Sequence, residues 1–312
     1  MQKGQVQAEL SARLRALRVD IYEKLTGRGS AARDTSFPLV SGDTFRAVAD
    51  IVLESEFDIR AFGRSFSECK SSEPVIFLPL HLLSNLVDSI DSTDVAQGIF
   101  ILHNGDELDE SAVLRLSQQA GSVFSVNWIG SKAIATPIPI GVENRHWNIN
   151  GRHELMSGLN PALLPRLTRK DREVAVLGAF SSSTNPAMRE GVLNAFAGVP
   201  GSRLLTKRVQ PRTYWSLLAR SLFVISPPGN GPDCHRTWEA MYSGAIPIVL
   251  EDAWPFKNEP FPALTVQNWV QARKIIDEGG RDLYERIWCE ADVERLYFPH
   301  YIQLLMSHRH GK

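Results

Sequence analysis

The feature that most constrains this chain is its alternation of short apolar runs with longer stretches of helical periodicity, the pattern that forms parallel sheets covered by helices. In the first half, residues 75–78, 98–102, 122–126 and a short piece at 137–140 are predicted strands, with helices over 82–90 and 110–119. Acidic residues open the second helix, as suits a helix N-terminus. Gly, Asn and Pro then cluster across 150–171, which runs into a charged stretch from 166 to 172, and a domain boundary is expected there. Beyond it the pattern restarts, with strands at 173–178, 201–205, 222–225 and 246–250 and helices at 185–196, 211–219 and 235–243. That order predicts a second doubly wound α/β unit. Two further helices, 267–278 and 282–308, the latter broken near Pro299, form a tail long enough to cross back to the first domain.

A chain of 312 residues is long enough for two such domains, divided as 1–165 and 166–312. Lys and Arg number 34 against 35 Asp and Glu, so no global field draws the protein to nucleic acid. Cys69, Cys234 and Cys289 have no paired metal or redox spacing, which fits a reducing, cytoplasmic setting. Leu10, Leu14, Leu17, Ile21 and Leu25 mark an amphipathic helix interrupted by Arg13, Arg15 and Arg18, not a signal peptide. Its apolar stripe is expected to pack on protein, and peripheral membrane contact stays open. No later stretch reaches the roughly 20 apolar residues of a transmembrane span.

The chemistry concentrates in Ser226-Pro-Pro-Gly-Asn-Gly-Pro-Asp-Cys-His-Arg-Thr-Trp-Glu239. A strand delivers the chain to a Pro/Gly loop, which opens a helix whose first turn carries His235, Arg236 and Thr237. Free N–H groups at a helix start and a guanidinium fork suit phosphate. Glu239, three residues beyond Arg236, can accept from ribose hydroxyls, and Gly229 and Gly231 would allow a ligand to approach the backbone closely. The bland alternative is a plain loop in which Asp233 caps the helix and Arg236 pairs with Glu239.

The segment from Phe223 through Val249 resembles, nearly position for position, the donor-domain signature of exostosin-like glycosyltransferases, in particular the ribitol xylosyltransferase type and its bacterial relatives. Upstream, Ile101-Leu-His-Asn-Gly-Asp-Glu107, Val126-Asn-Trp128 and Pro137-Ile-Pro-Ile-Gly-Val-Glu-Asn-Arg-His-Trp147 resemble the acceptor-side half of the same relatives. The blocks lie between Ile101 and Leu250, about half of the chain. The resemblance implies a GT-B fold, in which two Rossmann-like domains face a cleft. It also implies a nucleotide-sugar donor held mainly by the second domain, inversion at the anomeric carbon, and no obligatory metal or other cofactor. The acceptor would be a hydroxyl of a glycan, a lipid-linked sugar or a small molecule, with bacterial surface-polysaccharide assembly as one setting. This chain departs from the pattern at Ala245, where many relatives carry Cys, and it shows no counterpart of the membrane anchor of the family's animal members.

An inverting transferase needs one general base and positive charge for the leaving diphosphate. Asp106, Glu107, His103 and Glu143 are the candidate bases, all in segments that follow predicted strand ends. Donor-binding candidates are Gly178, Ser181, Arg189, Pro228, Gly229, Asn230, Gly231, Asp233, His235, Arg236, Thr237 and Glu239. Trp128 and Trp147 are secondary candidates for stacking on sugar, and Lys207 and Arg208 read more simply as a solvated pair. Asp43 is expected as a helix cap, and His308 and His310 as a polar end. No Asp-x-Asp doublet stands at a predicted strand end, and Asp88 and Asp91 flank a helix end, so no metal site is expected. The rivals are a dehydrogenase, which lacks its Gly-x-Gly-x-x-Gly turn here, and a non-catalytic sugar-nucleotide or glycan-binding module.

Overall fold

The computed structural model of the protein describes residues 35–90, 95–145 and 172–309. The predicted N-terminal helix, the boundary region 150–171, Trp147 and His310 lie outside them.

Helix α1 (Gly42–Ala47) is capped by Ser41, which exchanges hydrogen bonds with Thr44. Asp43, expected as the cap, instead sits buried in the first turn and accepts from the Arg145 N–H at 3.3 Å. There follow β1 (Ile51–Val52), α2 (Glu56–Ser67), β2 (Val75–Pro79), α3 (Leu83–Ser89), β3 (Ile99–His103), α4 (Glu110–Ser117), β4 (Ser122–Ser125) and β5 (Thr136–Pro137). The strands form a parallel sheet ordered β1-β2-β3-β4-β5. Every residue of β2 and β3 is buried, which is why both read as continuous apolar runs rather than alternating ones. The sheet follows chain order without reversal, so the double winding expected of this half is not seen among the described residues.

Strand β5 is shorter than the predicted 137–140. Ile138 still donates to the Ser125 carbonyl at 3.0 Å, but the Ile140 N–H leaves the ladder for the Asp233 carboxylate of the second unit at 2.9 Å. Gly141 then turns into the left-handed region at φ 68°.

The second unit comprises β6 (Val174–Ala179), α5 (Pro186–Arg189), α6 (Val192–Ala195), β7 (Arg203–Leu205), α7 (Pro211–Arg220), β8 (Ser221–Ile225), α8 (His235–Tyr242), β9 (Ile246–Leu250) and β10 (Leu264–Val266). Its parallel strands are ordered β10-β9-β8-β6-β7, so direction of winding reverses at β6. A crevice outside the carboxyl ends of strands at such a switch point is where doubly wound sheets bind ligands. The single helix predicted over 185–196 is two, because Glu190 turns extended after α5 and Gly191, at φ 73°, caps the start of α6 in the left-handed conformation.

Helix α9 (Trp269–Glu290) bends at Gly280, and α10 (Phe298–Arg309) starts afresh. Pro299 therefore lies in the first turn of a new helix, where no intrahelical N–H is needed, instead of breaking a longer one. Helix α10 returns to the first unit. The rings of Phe298 and Tyr301 lie 5.0 and 5.9 Å from Phe45, and His308, expected in a polar end, rests 4.9 Å from Phe124 of β4. Among the described residues no helix is long and apolar enough to cross a membrane.

Candidate functional site

Strand β8, buried throughout, carries the chain to Ser226, whose N–H donates to the Ile248 carbonyl at 3.0 Å and whose hydroxyl meets that of Thr237 at 2.8 Å. The Pro/Gly loop then closes on itself through the Gly229 N–H and the Gly231 carbonyl at 3.0 Å. A Cβ on Gly231 would fall 2.6 Å from Asn127 Nδ2, and one on Gly229 would fall 3.1 Å from Arg189 Nη2. Protein side chains therefore crowd both glycines, which also line the cleft.

Helix α8 begins after Cys234, which provides no side-chain cap, so its first turn opens toward a cleft of about 840 Å³ without a side-chain acceptor. Asp233 is no cap either. It is buried beneath the loop, accepting from Trp238 Nε1 at 2.9 Å and from the Ile140 N–H. Burial pushes its carboxyl up to about 6 against the hydrogen bonds, which lower it.

Two guanidiniums face the same space. Arg236 Nε donates to the Ala179 carbonyl at 3.1 Å, while Arg189 donates to the Pro228 and Ser181 carbonyls at 2.7 and 3.0 Å. They flank the Phe180 ring, at 5.4 and 5.8 Å from its centroid. Burial, then the neighbouring Arg236 charge, draw the Arg189 pKa down, although a guanidinium stays charged. Neither forms an ion pair with a carboxylate among the described residues, and the Arg236–Glu239 pair of the bland reading does not form. Each guanidinium has five N–H groups, so both keep donors for an anion. Lys207 and Arg208 line the cleft beyond them.

Glu239 is buried and takes the Tyr214 hydroxyl on Oε2 at 2.7 Å. Burial raises its pKa, opposed by the Tyr214 bond and by His235 and Arg236. Across the cleft, the first unit contributes Asp106 and Glu143. Asp106 Oδ2 accepts from Asn230 Nδ2 at 2.9 Å. Glu143 Oε2 lies 3.6 Å from His235 Nε2, and His235 Nδ1 donates to the Gly141 carbonyl at 2.8 Å.

The structure therefore brings together Asp106, Glu143, Ser181, Arg189, Gly229, Asn230, Gly231, Asp233, His235, Arg236 and Glu239. It leaves out His103 and Glu107. His103 is sealed near Phe45 and Phe77, with Nε2 against the Pro139 carbonyl and Nδ1 accepting from the Asn104 N–H. Burial, ahead of hydrogen bonds that act the other way, brings its pKa to about 4. A ring with both nitrogens committed cannot reach an acceptor. Glu107 is exposed and does not line the cleft. Gly178, Pro228 and Thr237 support the walls without lining them; a Cβ on Gly178 would strike Leu193 at 2.4 Å. Trp128 is core, its Nε1 donating to the Ser131 carbonyl at 3.0 Å.

Sequence reasoning missed Phe180, Tyr214 and Asn127. Asn127 takes φ 61°, bonds the Asp106 carbonyl through Nδ2 at 3.0 Å and accepts from the Asp233 N–H at 3.2 Å, so it ties the two walls together. Its place at a strand end was the available signal; Tyr214, 25 positions before Glu239, carried none. No group of three or more His, Cys, Asp or Glu is placed to hold a metal ion among the described residues. Comparison with protein-family models and with curated proteins finds no match to this chain.

Proposed function

We propose that the protein is a glycosyltransferase of GT-B architecture that moves a sugar from a nucleoside-diphosphate sugar to a hydroxyl acceptor with inversion. One observation carries this reading: two guanidiniums without carboxylate partners among the described residues stand near the uncapped start of α8, in one cleft with the buried Glu239. On this reading Arg189, Arg236 and the first-turn amides of α8 hold the diphosphate, and Glu239 accepts from the ribose. Glu143, on the opposite wall, takes the acceptor's proton. The acceptor oxygen bonds the anomeric carbon as the bond from that carbon to the phosphate oxygen breaks, and the departing electron pair settles on the diphosphate beside the guanidiniums. Bacterial surface-polysaccharide assembly is the setting that the anchorless relatives suggest, and the cytoplasmic placement rests on the three unpaired cysteines.

The test is a thermal-shift panel of nucleoside mono- and diphosphates and NAD on the wild type and on Arg236→Ala. A nucleoside diphosphate at about a hundred times its Kd stabilises the wild type by about 2.7 kcal/mol, and the variant loses most of that gain. Stabilisation by NAD alone, or an unaffected variant, contradicts the assignment. A second reading, a sugar-nucleotide-binding module without turnover, draws on the protein partners that both remaining candidate bases already have: His235 at Glu143 and Asn230 at Asp106.

A further inference from the structure

The Tyr214 hydroxyl lies 2.7 Å from Glu239 Oε2, joining α7 to α8 at the cleft wall. A phenol beside a carboxylate donates its proton and cannot accept one. Here burial first, and then the Glu239 charge, push the Tyr214 pKa well above its usual value, so the phenol keeps its proton and is the donor toward an ionised Glu239. The bond occupies Oε2 and leaves Oε1 to the cleft that Glu239 lines. The other groups acting on Glu239 are His235 and Arg236 on its own helix and Glu143 from the first unit; His235 and Arg236 favour the ionised carboxylate and Glu143 opposes it.

We propose that Tyr214 is the positioning residue for ribose recognition: by holding Oε2 it presents Oε1 of an ionised Glu239 to the vicinal hydroxyls of a ribonucleotide, so that the site prefers ribo- to 2′-deoxyribonucleotides. This rests on the donor-site reading and names a specificity that the reading leaves open. An ionised carboxylate accepts from the ribose hydroxyls more strongly than a neutral carboxyl, so affinity is highest above the pH at which Glu239 takes a proton and weakens as pH falls through it. Removing the Tyr214 donor removes a stabiliser of the ionised form and moves that loss to higher pH.

The experiment measures calorimetric binding of UDP, GDP, ADP and CDP and their 2′-deoxy counterparts to the full chain and to Tyr214→Phe between pH 5.5 and 8.5. It is paired with a carboxyl-carbon NMR titration of Glu239 in both proteins without ligand. The expected result is a variant within about threefold of the wild type at the alkaline end of the range, about tenfold weaker at the acid end, and with a reduced ribo-to-deoxy preference, as loss of a hydrogen bond to a charged group implies. The Glu239 titration midpoint is expected to be higher in the variant. Equal affinities in both proteins at every pH overturn the proposal. So does a uniform loss for both sugar types with an unmoved Glu239 midpoint, since that is what a packing role gives. If no nucleoside diphosphate binds the wild type, the donor-site reading itself fails and takes ribose recognition with it, while the titration still decides whether Tyr214 holds Glu239 ionised.

Discussion

Asp233 shows how much one side chain can join. Its carboxylate receives Trp238 Nε1 from α8 and the Ile140 N–H from the first unit, and its own N–H donates to Asn127 Oδ1. With burial raising its carboxyl to about 6, the folded protein keeps a proton there that the unfolded chain has already released by about pH 4. Stability from this group is therefore full at low pH and falls as pH rises through 6, by about 3 kcal/mol in all. Urea unfolding of the wild type and of Asp233→Asn between pH 4 and 7.5 checks it: the wild type shows that slope and the variant lacks it. The same slope in both proteins would place the titrating group elsewhere. The sequence marked Asp233 as part of a phosphate loop or as a helix cap; its burial could not be read there, because the partners, Ile140 and Asn127, lie about a hundred positions upstream. Arg236 and Glu239 were legible, being three residues apart on one helix that starts after a Pro/Gly loop.

At the scale of elements, strands β2, β3, β4, β6, β8 and β9 could be read because strands buried on both faces are written as apolar runs. Strands β1 and β10, of two and three residues, were missed. Helix α2 was missed although Ile59 and Phe62 are spaced for one face and Ser55 caps its start. The break between α5 and α6 lies in the extended Glu190 and the left-handed Gly191, which a helical window does not register. Two glycines separate strain from crowding. Gly191→Ala meets nothing within 4 Å and should cost about 1 kcal/mol for the left-handed backbone alone. Gly141→Ala has the same kind of φ, but its Cβ would lie 2.0 Å from the Val40 carbonyl oxygen, the acceptor of the Val142 N–H at 2.8 Å. It should lose about 3 kcal/mol or more. Denaturant unfolding that finds the two variants equal would show that the Gly141 turn is not held against Val40 as described.

For the whole molecule, the two units are joined by polar contacts around the cleft and by α10, which seats Phe298 and Tyr301 on Phe45 of the first unit. The aromatic contacts are the stronger tie. Phe298→Ala, at a fully buried site, should cost about 3–5 kcal/mol, whereas Glu259→Gln, which weakens the surface pair with Lys132 and the pair with Arg295, should cost about 1 kcal/mol. Equal losses in denaturant unfolding would mean that the return of α10 is not what holds the units together. The arrangement of sheets in two units was legible in the restart of the strand pattern, and so was the returning tail. The chain-order topology of the first sheet was not, because strand pairing is set by contacts that the order of apolar runs does not encode.

The central claim, sugar transfer in this cleft, is tested most directly by incubating the full chain with a panel of nucleotide sugars, with and without hydroxyl acceptors, and measuring the nucleoside diphosphate released. The account predicts release from one class of donor, accelerated by an acceptor, and reduced at least about a hundredfold in Glu143→Gln with donor binding retained. Donor binding without release would contradict it in favour of a binding module, and release indifferent to the loss of Glu143 would overturn Glu143 as the base.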